Sequence, residues 1–96
     1  MLFESLGIIE TGSVSSSLKV INEFNKLNDI KIIGNQILGD GIVSVFVKGH
    51  LGAIRKSLNH GAEILNYSNE FRGSHVIPMP HKDLLSKFKL ERNDLW

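Results

Sequence analysis

The chain has 96 residues, a size that suits one domain with a modest core. Its 42% hydrophobic and 22% charged residues mark a folded chain rather than a disordered one. Eleven basic and ten acidic side chains leave a formal charge of +1 and there is no cysteine, which argues against a nucleic-acid footprint or a cationic membrane face and excludes disulfides and thiolate metal sites.

The opening MLFESLGIIE has no basic stretch ahead of its apolar residues, so no signal peptide is expected. No apolar run approaches the ~20 residues needed to cross a bilayer, and the expectation is a cytoplasmic protein in a reducing compartment. FESLGIIE, residues 3–10, reads as a first strand closed by Thr11-Gly12-Ser13. Thr11 or Ser13 can then cap a helix, because their hydroxyls accept orphan amide hydrogens. That helix carries Val14, Leu18, Ile21, Phe24 and Leu27 at three-to-four spacing, with Lys19, Asn22, Glu23 and Lys26 on other faces.

NDIKIIGNQILG holds a second strand and GIVSVFVKG a third, joined by the tight reversal Gly39-Asp40-Gly41. In the third strand Val43, Val45 and Val47 share one face, and Ile42, Ser44, Phe46 and Lys48 the other. The largely apolar character of both faces predicts cover on both sides. Part of the Ile42/Phe46 face is expected to be buried between subunits. A second helix places Leu51, Ile54, Leu58, Ala62 and Leu65 on one side. SHVIPMP is a short fourth strand ended by Pro78 and Pro80, and HKDLLSKFKL predicts a last short helix before the polar tail ERNDLW. The order β-α-β-β-α-β predicts an α+β fold, an antiparallel sheet with two main helices against it plus that short C-terminal helix.

Little in the chain carries reaction chemistry. His50, His60, His75 and His81 form no H-x-x-x-H pair, and read as surface or partly packed histidines rather than metal ligands. The serines at 15 to 17 lack a G-x-S-x-G frame and suit a helix start. No glycine pattern spells a phosphate loop, and VFVKG offers one aromatic where an RNA-recognition strand stacks several bases. The expectation is a protein that is not an enzyme, with no metal, no cofactor and no nucleic-acid or membrane partner.

Four stretches, ESLGIIET, ILGDGIVSVFVKG, LGAIRKSLNHGA and HVIPMPH, occur here in one order and spacing. Together they resemble the bacterial microcompartment shell protein family, in its single-domain hexamer-forming class. The resemblance covers about residues 3–90. It divides the chain into a shell domain at 1–90 and a polar tail at 91–96. It implies a homohexameric disc in the bacterial cytoplasm, with a narrow central pore for small metabolites. Discs would tile edge to edge, with other shell proteins, around enzymes that handle volatile or reactive intermediates.

Carried over residue by residue, the resemblance assigns Gly39, Asp40 and Gly41 to the pore loop, whose middle residue is often serine. It assigns Lys26 to the disc edge, where it meets its counterpart, and Asp29 to the neighbouring edge position, usually asparagine. Met79 stands where the family's P-R-P-H turn has an arginine, and Met offers no bidentate donors. His50 replaces a common helix-capping aspartate. Six copies of Asp40 would form an acidic ring that admits cations and small neutral molecules over anions. Two other readings of a βαββαβ chain are a small-molecule-sensing regulatory domain of ferredoxin-like fold and an RNA-binding module. The second lacks the aromatics and the basic charge it would need.

Overall fold

The structure, a computed structural model, describes residues 4–79. Its elements are β1 (Glu4–Thr11), α1 (Val14–Phe24), β2 (Ile30–Ile37), β3 (Val43–Gly49), α2 (Leu51–Asn66) and β4 (Phe71–Met79). The strands form one sheet in the order β2-β3-β1-β4, every neighbouring pair antiparallel. The expected βαββαβ order is therefore present. The short helix expected at 81–90, His81 and the tail lie outside the described residues.

β3 and β1 are the central strands, which is why their sequences are apolar on both faces. Ile9 of β1 and Val45 and Val47 of β3 join Val20 and Phe24 of α1, Ile30 of β2, and Ile54, Leu58 and Leu65 of α2 in one buried core. Gly7 lies in the same alternation, and a Cβ there would stand 2.7 Å from Ile54 Cγ2. Its lack of a side chain is what lets α2 approach β1 so closely.

The residues alternating with these, Leu6 and Ile8 of β1 and Phe46 of β3, are buried as well, so both faces are covered as expected. Phe46 is 3% exposed within the single chain. Phe46 therefore needs no neighbouring subunit for its cover, while Ile42 on the same face is half-buried. Among the described residues, the large apolar side chains left exposed are Val14, Leu18, Ile37, Leu38, Leu51 and Tyr67.

α1 begins where the sequence suggested. Ser13 has extended backbone and its Oγ accepts from the Ser16 amide at 3.1 Å, satisfying a donor the helix itself cannot. Thr11, the other candidate cap, instead donates its hydroxyl to the carbonyls of Ser13 and Val43. The expected face reaches the core only in part: Phe24 lies in it and Ile21 and Leu27 pack against it, but the N-terminal half of the helix turns differently. Ser16, Ser17, Val20 and Phe24 are buried, while Val14 and Leu18 are 50% and 59% exposed.

The reason is that the two serines bury at no polar cost. Ser16 and Ser17 donate their hydroxyls to the carbonyls of Ser13 and Val14 at 3.0 and 2.7 Å, and no buried side-chain donor or acceptor among the described residues lacks a partner. α1 also ends at Phe24, three residues short of the expected Leu27. α2 buries Ile54, Ser57, Leu58, Gly61 and Leu65, leaving Leu51 partly exposed. His50 at its N-cap makes no side-chain capping bond.

Candidate functional site

Strand register places the candidate residues at two opposite ends of the sheet. In one end row Ile37 and Thr11 both face Val43, and Phe71 faces Thr11. In the other, Ile30 and Ser5 both face Gly49, and Pro78 faces Ser5. The rows are separated along β3 from Val43 to Gly49, or about 20 Å at the usual rise per strand residue.

Gly39, Asp40 and Gly41 cap the first end as a single tight turn. The Leu38 amide donates to the Ile42 carbonyl at 2.7 Å, closing the loop on backbone alone. Asp40 takes φ 64°, ψ 22° and Gly41 φ 81°. These left-handed conformations suit Asp and Gly, the short polar side chain and the absent one. All three residues are exposed, and Asp40 forms no ion pair among the described residues. Exposed Ile37 and Leu38 flank the turn, and a side chain at Gly41 would come within 3.8 Å of the Gly12 carbonyl, just before α1 and exposed Val14. An acidic tip therefore stands among apolar side chains that the fold itself leaves uncovered.

Lys26 and Asp29 lie at the other end, in the turn between α1 and β2. The expected place of Lys26 on a polar helix face is corrected, since α1 ends before it. Successive amides at 25 to 27 still bond back into the last helical turn and hold the segment in place. Lys26 Nζ lies 3.0 Å from Glu23 Oε2, and Glu23 Oε1 lies 3.4 Å from His60 Nε2 on α2. The hydrogen bonds from Lys26 and His60, and the Lys26 charge, hold the Glu23 carboxyl below its ordinary range. Asp29 is exposed, and its carbonyl packs against Gly49, where a Cβ would sit 2.8 Å away.

Met79 pairs with Glu4 in the row beyond Ser5 and Pro78. It thus shares the sheet end of Lys26 and Asp29, but on the opposite outer strand, about 14 Å across at the usual strand spacing. The structure groups Lys26 with Asp29 and does not bring Met79 beside them within one chain. From the sequence, Glu23 read only as a polar-face residue and His60 only as a surface or partly packed histidine. The Glu23-to-Lys26 spacing was a visible signal, whereas His60 meets Glu23 only through the packing of α2 on α1. Among the described residues, no group of three or more His, Asp or Glu side chains could hold a metal, and no helix is long and apolar enough to cross a membrane.

A family model described as the BMC domain matches residues 5–80. The shell protein PduA of Citrobacter freundii is 31% identical over 81 residues, spanning 84% of this chain and 87% of that protein. EutM of Escherichia coli, also a bacterial microcompartment shell protein, is 30% identical over 87 residues, spanning 91% and 90%. The carboxysome shell protein CsoS1 of Prochlorococcus marinus is 27% identical over 83% of this chain and 79% of its own. Among solved structures, a microcompartment protein from Desulfitobacterium hafniense superposes on 90% of this chain with TM-score 0.76 and 26% identity. This chain spans about half of that one, at 49% of its length. The C-terminal domain of MgtC from Mycobacterium tuberculosis, 16% identical with TM-score 0.54, shares the fold alone.

Proposed function

Since the chain belongs to the bacterial microcompartment shell protein family, we propose that it forms a homohexameric disc with a central pore and tiles edge to edge with other shell proteins. The family consists of structural proteins of a shell in the bacterial cytoplasm, not enzymes. In this reading residues 1–90 form the shell domain, with 91–96 a tail beyond it. Gly39, Asp40 and Gly41 surround the axis, and Lys26, Asp29 and Met79 lie at the rim.

The observation that carries the reading is the opposed placement of the two groups. A turn lined by small residues sits at one end of the sheet, and the Lys26–Asp29 turn sits about 20 Å away at the other. One end can crowd an axis while the other reaches a neighbouring disc. Exposed Val14, Ile37 and Leu38 supply apolar surface for subunit contact beside the axial end.

Six exposed Asp40 side chains would ring the pore. Two like charges 4 Å apart repel by about 1 kcal/mol in water and about 4 at an effective dielectric near 20, so the ring attracts cations and opposes anions. Small metabolites that are neutral or cationic would pass more readily than carboxylates or phosphates. At the rim, the long stem and three donors of Lys26 reach backbone carbonyls of the next disc, and Met79 supplies none of the fork-like bonds an arginine would.

Light scattering at micromolar concentration should give the mass of six chains; a monomer would overturn the hexamer. Asp40→Ser in a planar-bilayer measurement should raise anion passage relative to cation passage, and an unchanged ratio would remove the pore assignment. Lys26→Asp should leave discs intact but abolish sheets under negative stain, and Met79→Arg should strengthen them. Isolated small oligomers in place of discs and sheets would favour a sensory domain of the same fold.

A further inference from the structure

The rim lysine is not an isolated cation. Glu23, in the last turn of α1, places one carboxylate oxygen 3.0 Å from Lys26 Nζ and the other 3.4 Å from Nε2 of His60, which sits in the middle of α2. One carboxylate thus joins side chains from both helices and from the turn between α1 and β2. Lys26 and His60 are 63% and 48% exposed, and Glu23 is 32% exposed. Solvent protons therefore reach the cluster freely.

We propose that the Glu23–Lys26–His60 cluster makes disc-to-disc tiling pH-dependent: Glu23 neutralises the edge lysine so that it can meet its counterpart, and protonation of His60 recharges the edge and loosens the sheet. The proposal rests on the rim assignment of Lys26 made above. With His60 neutral, Glu23 and Lys26 sum to zero charge. With His60 protonated, each edge carries one net positive charge, and across the boundary it faces an identical one. Histidine is the side chain whose ordinary charge change falls between about pH 5 and 8. Glu23 stays ionised through that window, because Lys26 and His60 both hold its carboxyl below the ordinary value.

The other charged groups on the elements around the cluster do not answer to it. On α1, Lys19 precedes Glu23 by one turn; on α2, Arg55 and Lys56 precede His60 and Glu63 follows it. Asp29 and Lys31 lead into and lie on β2. On the sheet, Lys48 pairs with Glu4, and His75 on β4 pairs with Glu10. His50 stands at the start of α2, more than two turns from His60. Among the described residues Glu23 makes ion pairs with Lys26 and His60 and with none of these.

The test follows sheet formation by sedimentation and negative stain from about pH 8 to about pH 5.5, with disc mass checked by light scattering for each variant. The parent's threshold concentration for sheets should rise toward acid by at least about fivefold, the factor that one unit-charge repulsion across a few ångströms of water contributes at each disc-to-disc boundary. His60→Gln should remove that dependence and tile at acid pH as the parent does at pH about 8. Glu23→Gln should weaken tiling at both ends of the range. Lys26→Ala separates the two readings. If it abolishes sheets while His60→Gln keeps the parent's full pH response, or the parent shows none, this proposal falls and the rim assignment stands. If Lys26→Ala tiles like the parent, the rim assignment fails and the proposal goes with it.

Discussion

Gly7→Ala puts one methyl group at the closest approach between α2 and the sheet. The added Cβ would stand 2.7 Å from Ile54 Cγ2, 3.0 Å from Val47 Cγ2 and 3.4 Å from Leu58 Cδ1. The two nearest atoms are methyls fixed directly to branched Cβ carbons, so rotation about an outer bond cannot move them aside. Ile54 and Val47 are both fully buried. Ordinary contact near 3.4 Å requires Ile54 to retreat by about 0.7 Å, and that carries α2 with it. Overpacking of this kind costs about 1–3 kcal/mol, offset by about 0.4–1 from the stiffer unfolded chain. The net loss is about 1–2 kcal/mol, or a midpoint lower by roughly 5–15 °C for a domain of this size. Gly52→Ala is the matched control, because nothing lies within 4 Å of its Cβ position in the first turn of α2. There the same methyl should stabilise by up to about 1 kcal/mol through helix propensity. Thermal and urea denaturation of both variants and the parent, at one protein concentration since assembly shifts midpoints, gives the comparison. A Gly7→Ala protein as stable as Gly52→Ala would refute the claim that α2 packs at this distance.

Ser13→Ala should cost about 1 kcal/mol in urea denaturation by removing the bond to the Ser16 amide, and Ser13→Gly only a few tenths. Phe24→Ala empties a site 1% exposed at the junction of α1, α2 and the sheet, and should cost about 3–5 kcal/mol, enough to leave the chain largely unfolded or unassembled in circular dichroism. Glu23 has a lowered folded pKa against a reference of 4.5, so its contribution is present above that reference and is lost as pH falls through the lower folded value. The stability gap between the parent and Glu23→Gln should accordingly be present at neutral pH and close under strong acid, as followed by denaturation across pH.

Periodicity of two made the strands legible. Val43, Val45 and Val47 alternate with Ser44 and Phe46 and sit in β3 as read, buried on both faces because β3 is a central strand. The turn at 39–41 was legible from glycine placement, and its positive φ values explain why glycine and aspartate stand there. The helix faces were harder to read. In α1 the apolar stripe delivers Ile21, Phe24 and Leu27 to the core as its spacing suggests, yet in place of Val14 and Leu18 the sheet takes the adjoining Ser16, Ser17 and Val20. Apolarity alone could not choose between two stripes related by about a third of a turn, because serines that bond their own helix carbonyls are as buriable as small apolar residues. The pairing of Glu23 with His60 was equally out of reach, since 37 residues separate them and the contact exists only once α2 lies against α1.

The two ends of the sheet differ in how tightly they bind sequence to structure. At the Lys26–Asp29 end the backbone is crowded. The Asp29 carbonyl and Ile30 lie against Gly49, where any side chain would meet main-chain atoms 2.8 and 3.4 Å away that cannot swing aside. At the Gly39–Gly41 end the loop closes through the Leu38 and Ile42 backbone groups, and a side chain at Gly39 would meet nothing within 4 Å. The Asp40 side chain therefore takes little part in holding the fold; what the position demands is tolerance of φ 64°, which Asp shares with Asn and Gly. Its charge can be altered at small cost in stability, whereas a branched residue there would be strained. A position that the fold constrains in backbone but not in chemistry is one where side-chain identity can follow what passes beside it. That separation leaves the charge at Asp40 free to serve the acidic ring proposed for the pore, while the turn itself asks only for a residue that tolerates a left-handed backbone.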